Sequence, residues 1–192
     1  TITITIKKDG KNIFELQDGK ISEMGQSFIA GVLQHMPELT VFLNPIANSY
    51  TRLQHHKAPN QINWSFENRN PLLRVPAQIG VHPRIEIRSA DCCCNPYISF
   101  RLLLCAGMDG IEKGLTLDDA LEVTAEQKKF AELPENLNTA YKIARESKFI
   151  EENLPEEIRR NFWKSIEQTL WEVECHYADN PEELENQCFL SV

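Results

Sequence analysis

The sequence predicts an α+β protein with its strands early and its helices late. Three observations carry this. Thr1-Ile2-Thr3-Ile4-Thr5-Ile6 alternates with period two, the pattern of a strand with one buried face. Short β-prone segments separated by Pro and Gly continue to Arg88. From Asn95 onward the apolar residues recur at helical spacing almost to the C-terminus.

In chain order, Thr1–Ile6 sets Ile toward a core and Thr toward the other side. Lys8-Asp9-Gly10-Lys11 and Asp18-Gly19 read as tight turns. Ser22 is placed to cap a helix whose apolar stripe is Met24, Phe28, Ile29, Val32 and Leu33, with an end expected near Pro37. Strand pieces are expected at 61–65, 72–75 and 84–88. Asn95-Pro96 combines a cap residue with Pro in the first turn, and the apolar run from Ile98 to Ala106 predicts a buried helix. Further helices are expected over 116–123, over 138–146 and after Pro155, where Ile158, Phe162, Ile166, Leu170 and Val173 share one face.

The chain has 192 residues, 42% of them hydrophobic, enough for one ordinary core. Its net charge of −8 is unevenly spread: residues 1–111 hold 11 basic and 9 acidic side chains, residues 112–192 hold 9 and 19. One unit is therefore expected over 1–192, with a sheet and arginine-rich site region at 1–111 and an acidic helical region at 112–192. An acidic chain is a poor partner for nucleic acid, and no apolar run is long enough to span a membrane, so a soluble, cytoplasmic protein is expected. The cysteines lack C-x-x-C pairs, so Cys92-Cys93-Cys94, Cys105, Cys175 and Cys188 read as reduced, buried or partly buried thiols.

Between Arg52 and Arg88 lie five arginines and a single lysine, Lys57. Arginine binds planar oxyanions bidentately, which suits carboxylate and phosphate. In Arg84-Ile85-Glu86-Ile87-Arg88 a strand places the three charged groups on one face, about 7 Å apart. Two guanidiniums flanking a carboxylate can hold phosphate oxygens while the carboxylate holds a divalent cation. The same pattern taken alone is also an ordinary ion-pair ladder.

The blocks Asn48-Ser49-Tyr50-Thr51-Arg52-Leu53, Ala58-Pro59, Asn68-Arg69, Leu73-Arg74-Val75-Pro76, Arg84–Arg88, Asp91, Asn95-Pro96-Tyr97 and Ala106-Gly107-Met108-Asp109-Gly110-Ile111 occur in one order. That series resembles the C-terminal half of the catalytic domain of glutamine synthetase, over roughly residues 5–155. The resemblance implies an antiparallel β-sheet with packed helices and an ATP-dependent ligase that uses Mg or Mn and joins glutamate to ammonia or another amine. By the same resemblance Arg69 is the catalytic residue on the transferring phosphoryl group. Arg52 and Arg88 bind the substrate glutamate, Arg74 and Arg84 contact nucleotide, and Glu86 is a metal ligand.

Departures from the family pattern are equally specific. Before Ala58-Pro59 the family carries a flap Glu, where this chain has Lys57, a cation unable to act as a base at neutral pH. Thr1, Thr3 and Thr5 occupy the positions of a metal-binding His, a nucleotide contact and a Ser. A tyrosine that carries a regulatory nucleotidyl group in some bacterial members is replaced by Phe130. The chain starts at Thr1 without Met, which suggests a fragment, a trimmed chain or a processed product. His55 and His56 beside the flap read as exposed loop histidines, His35 and His82 lack acidic or cysteine partners at ligand spacing, and His176 is expected at the end of the last helix, where a cation suits the dipole. Two functions are compatible with this balance: the C-terminal part of a ligase, inactive by itself, or a non-catalytic anion-binding or regulatory module. Open sheet edges predict a homo-oligomer or a missing partner.

Overall fold

The computed structural model describes residues 1–54, 58–66, 68, 70–76, 82–118, 120 and 130–176. Strand β1 (Ile2–Ile4) buries Ile2 and Ile4 and exposes Thr3, the alternation expected from its sequence. Two hairpins follow, β2 (Lys7–Lys8) with β3 (Lys11–Asn12) and β4 (Leu16–Gln17) with β5 (Lys20–Ile21). Both turn through Asp-Gly pairs with positive φ, 51° and 80° at Asp9-Gly10 and 50° and 78° at Asp18-Gly19. Asp and Gly tolerate that left-handed region, and such turns match the twist of the paired strands.

Helix α1 (Glu23–Leu43) starts at Ser22, whose hydroxyl accepts from the Gly25 N–H. It runs through Pro37 instead of ending there. The missing N–H costs a hydrogen bond, but Leu39, Val41, Phe42 and Leu43 beyond it are all at most 1% exposed, and that burial outweighs the roughly 3 kcal/mol local cost. Helix α2 (Ala47–Gln54) carries Arg52. Strands β6 (Trp64–Ser65), β7 (Leu73–Arg74) and β8 (Ile85–Ile87) join β1 in one sheet of order β1-β8-β7-β6. Its pairs are antiparallel except for β6 and β7, which run parallel.

Helix α3 (Pro96–Glu112) is capped by Asn95, whose Oδ1 accepts from the N–H groups of Tyr97 and Ile98. Leu102, Leu103 and Ala106 are buried, but Tyr97, Phe100, Leu104 and Met108 form an exposed stripe, so this helix is buried along one side only. The helix expected over 116–123 does not begin at Thr116. Residues 115–118 are non-helical, and the Leu115 and Asp118 carbonyls accept instead from Ser27 and Trp64 side chains. Residues 121–123 lie outside the described residues.

Helices α4 (Leu137–Glu146), α5 (Lys148–Asn153) and α6 (Glu156–His176) complete the chain. The buried face of α6 centres on Trp163 and Ile166, whereas Ile158, expected on it, is 41% exposed. Phe42 of α1 stacks on Phe162 at 4.5 Å and packs against Trp163 at 5.3 Å.

The tightest joint is α1 against α3. A Cβ on Gly31 would lie 2.3 Å from the Ala106 carbonyl oxygen, and one on Gly110 would lie 2.2 Å from that of Ser27. Glycine is required because the two backbones touch there. The same joint anchors the far ends of both helices, from which α2, the strands and the β8–α3 loop present the charged groups described next.

Candidate functional site

The two faces of the four-stranded sheet differ in kind. Ile2, Ile4, Leu73, Ile85 and Ile87 point into the core, and the alternate residues line the other face. There the register sets Thr3 of β1 opposite Glu86 of β8, and Glu86 opposite Arg74 of β7. Arg84 donates to Glu86 Oε1 through Nε at 3.0 Å and Nη2 at 2.8 Å, and Arg74 donates to Oε2 at 3.1 Å. Both carboxylate oxygens are thus taken by guanidinium groups. Arg88 follows on, half-buried, its backbone N–H bonded to the Leu72 carbonyl.

Arg52 is held away from this row by a different set of partners. Its Nη2 donates to Asn44 Oδ1 at 2.8 Å and to the Ser89 carbonyl at 2.6 Å, and its Nε lies 3.3 Å from Asp91 Oδ2. Asn44 caps the C-terminus of α1, while Ser89 and Asp91 belong to the loop after β8, so Arg52 ties three segments together. Asp91 also accepts from the Ser49 hydroxyl at 3.0 Å and from the Cys93 N–H at 2.9 Å. Burial works against its charge, but these donors together with Cys92 and Arg52 hold its carboxyl below the usual 3.8. Burial, with Asp91 and Cys92 close by, pushes the Cys93 thiol up to about 12.

Arg69 and the flap residues His55, His56 and Lys57 lie outside the described residues. So does Glu67. The structure therefore brings Arg74, Arg84 and Glu86 into one bonded row and puts Arg52 in a separate clamp.

A family profile described as glutamine synthetase, catalytic domain, matches residues 2–185. The chain belongs to the glutamine synthetase catalytic-domain family. It is 38% identical to the glutamine synthetase of Methanosarcina mazei over 162 residues, 79% of this chain and 36% of that protein. It is 35% identical to the enzyme of Mycobacterium tuberculosis over 185 residues, 90% of this chain and 41% of that protein. The solved structure of apo GmaS without ligand superposes with a TM-score of 0.72 at 26% identity, covering 92% of this chain and 44% of that one. The chain thus spans less than half the length of the glutamine synthetases it matches.

Within that family frame, the described residues do not by themselves make a Mg or Mn site on the sheet. Hard divalent cations need several oxygen ligands. Glu86 is already bonded on both oxygens by arginine, and its cross-strand neighbour Thr3 brings a hydroxyl, not a carboxylate or an imidazole.

Two features escaped the sequence reading. His35 is buried, with Nε2 2.9 Å from Asp109 Oδ2 and Nδ1 3.3 Å from Glu38 Oε1, and its ring stacks on Phe149 at 3.8 Å. Asp109 in turn receives Lys113, and Glu38 receives the Ser147 hydroxyl. The His35–Glu38 spacing of three on one helix was the available signal; the Asp109 contact, 74 residues distant, left none. The second is a cavity of about 440 Å³ lined by residues that include Leu33, Pro37, Trp64 and Phe130, none of them a sequence-nominated site residue.

Proposed function

We propose that this chain is the C-terminal part of a glutamine synthetase-like ATP-dependent carboxylate–amine ligase and does not turn over by itself. In the complete reaction ATP phosphorylates the glutamate γ-carboxylate, and ammonia or another amine displaces phosphate from the resulting γ-glutamyl phosphate. In this reading Arg74 and Arg84 meet the nucleotide phosphates, Arg52 and Arg88 meet glutamate, and Arg69 stabilises the transferring phosphoryl group. Glu86 keeps the arginine row in register until ligands arrive and is the candidate metal ligand of the whole protein. The two cations, Mg or Mn, and a cytoplasmic setting belong to that whole. The observation that carries the reading is the Arg74–Glu86–Arg84 row, held by strand pairing on the open face of the sheet.

The second reading, a non-catalytic anion-binding module, is favoured by the full engagement of Glu86 and by the use of Arg52 as an interhelical clamp. One assay separates them. With glutamate, ammonium, ATP and Mg or Mn, coupled phosphate release from this chain should not exceed a buffer blank. Turnover that disappears in Arg69→Ala would show that the chain is catalytic by itself.

No helix among the described residues is long and apolar enough to cross a membrane. Self-association belongs to the same proposal. The strand β1 has a partner on one side only among the described residues, and the Tyr97, Phe100, Leu104 and Met108 stripe on α3 is exposed. A second copy of the chain is the occupant we assign to these surfaces.

A further inference from the structure

The loop between β8 and α3 carries a cluster that the ligase reading does not use. Ligand atoms of Asp91, Cys92 and Cys93 all lie within 4.8 Å of one another. The Cys92 thiol already points at the carboxylate, its Sγ 3.4 Å from Asp91 Oδ1. Cys92 is exposed and Cys93 half-buried, so the cluster is open to solvent on one side and walled on the other.

We propose that Asp91, Cys92 and Cys93 bind a thiophilic divalent cation of the zinc class through two thiolates and one carboxylate oxygen. A tetrahedral site with Zn–S bonds of about 2.3 Å sets its sulfurs roughly 3.8 Å apart, within the span found here. Thiolate donors select Zn over Mg or Mn, so the cluster is chemically separate from any site on the sheet. The sequence lacks C-x-x-C spacing, and the third donor comes from the neighbouring Asp instead.

The carboxylate is already oriented for this role. Oδ2 receives Ser49 at 3.0 Å and faces Arg52 Nε at 3.3 Å, which turns Oδ1 toward the two cysteines. Such outer partners fix a ligand's direction and typically matter 10- to 100-fold in affinity. Binding converts two thiols and one M²⁺ into a dithiolate complex with release of two protons and no change of oxidation state. The cation takes the place of the Cys92 proton on Oδ1, while Oδ2 keeps its hold on Ser49 and Arg52.

The test uses the full reduced chain, freed of metal by a chelator. Titration with Cd²⁺ should raise a sulfur-to-cadmium charge-transfer band that saturates at one cation per chain, and Zn²⁺ should release two protons per cation bound. Cys92→Ser with Cys93→Ser should abolish the band and weaken Zn²⁺ by at least about 100-fold, with an unchanged melting temperature. In the unaltered chain, Zn²⁺ should protect Cys92 and Cys93 from alkylation and leave Cys175 reactive. The proposal is overturned if the wild type shows no band, if the double variant keeps it, or if Zn²⁺ protects Cys175 as strongly as Cys92 and Cys93.

Discussion

Two regions of this molecule use ion pairs to opposite ends. Along the joint of α1 and α3, His35 is 6% exposed, and its partners Glu38 and Asp109 are at most 25% exposed. It belongs to α1 and reaches Asp109 of α3 where glycines let the two helix backbones touch. On the sheet, Arg84 is 27% exposed, Arg74 and Glu86 are 16% and 14% exposed, and the two arginines share the one carboxylate. The first cluster has matched donors and acceptors, and losing a member leaves a buried charge. The second sets two guanidiniums on one carboxylate, which in the function we propose gives way to a ligand.

The largest expected effect breaks the helix joint itself. Gly31→Ala puts a methyl against the Ala106 carbonyl oxygen, where neither backbone can yield cheaply. A loss of about 3 kcal/mol is expected in urea unfolding, with Gly114→Ala losing less because open space surrounds that residue and only its positive φ of 58° is strained. Equal losses in the two variants would show that the contact is not the cause.

Next comes the buried charge. Burial opposes the His35 cation, but hydrogen bonds and charge from Glu38 and Asp109 prevail and raise its pKa above 6.5. Burial likewise opposes the Glu38 and Asp109 carboxylates, yet His35, with Ser147 at one and Lys113 at the other, lowers both. The His35 contribution is therefore complete below pH 6.5 and fades as pH rises through the raised value. The carboxylate contributions are complete above 4.5 and 3.8 and fade as pH falls through the lowered values. His35→Gln should cost about 2 kcal/mol near pH 5.5 and progressively less above neutrality. A difference independent of pH would mean that His35 acts by packing alone.

On the sheet the same kind of change should do the reverse. Glu86→Gln is expected to strengthen pyrophosphate binding several-fold, because it removes the negative charge that two arginines share. Arg84→Ala should weaken that binding, and added salt should weaken it in every variant. Calorimetry in low and high salt reads all three. If Glu86→Gln lowers anion affinity, the carboxylate is more than a counter-ion.

The smallest effect concerns association. Light scattering across a dilution series should give a mass above the 22.1 kDa of one chain, and Leu104→Asp with Met108→Lys should return it to that value with no loss of melting temperature. A wild-type monomer at tens of micromolar would leave the α3 stripe without the occupant assigned to it.

The sequence alone determined the family, the strand-then-helix order and the alternation that puts Glu86 and Thr3 on one side of the sheet, because these depend on local periodicity and on the order of short blocks. It located Ser22 and Asn95 as caps for the same reason: a cap acts within three residues of itself. It misjudged the end of α1, the start of the segment at Thr116 and the burial of Ile158 on α6. Each of those is set by packing against residues far away in the chain, which overrides local propensity. The tertiary structure decided which charges meet. Arg52 is 37 residues from Ser89 and His35 is 74 from Asp109, and no spacing rule connects them. Periodicity assigns a residue to a face, but only the folded chain brings two faces together.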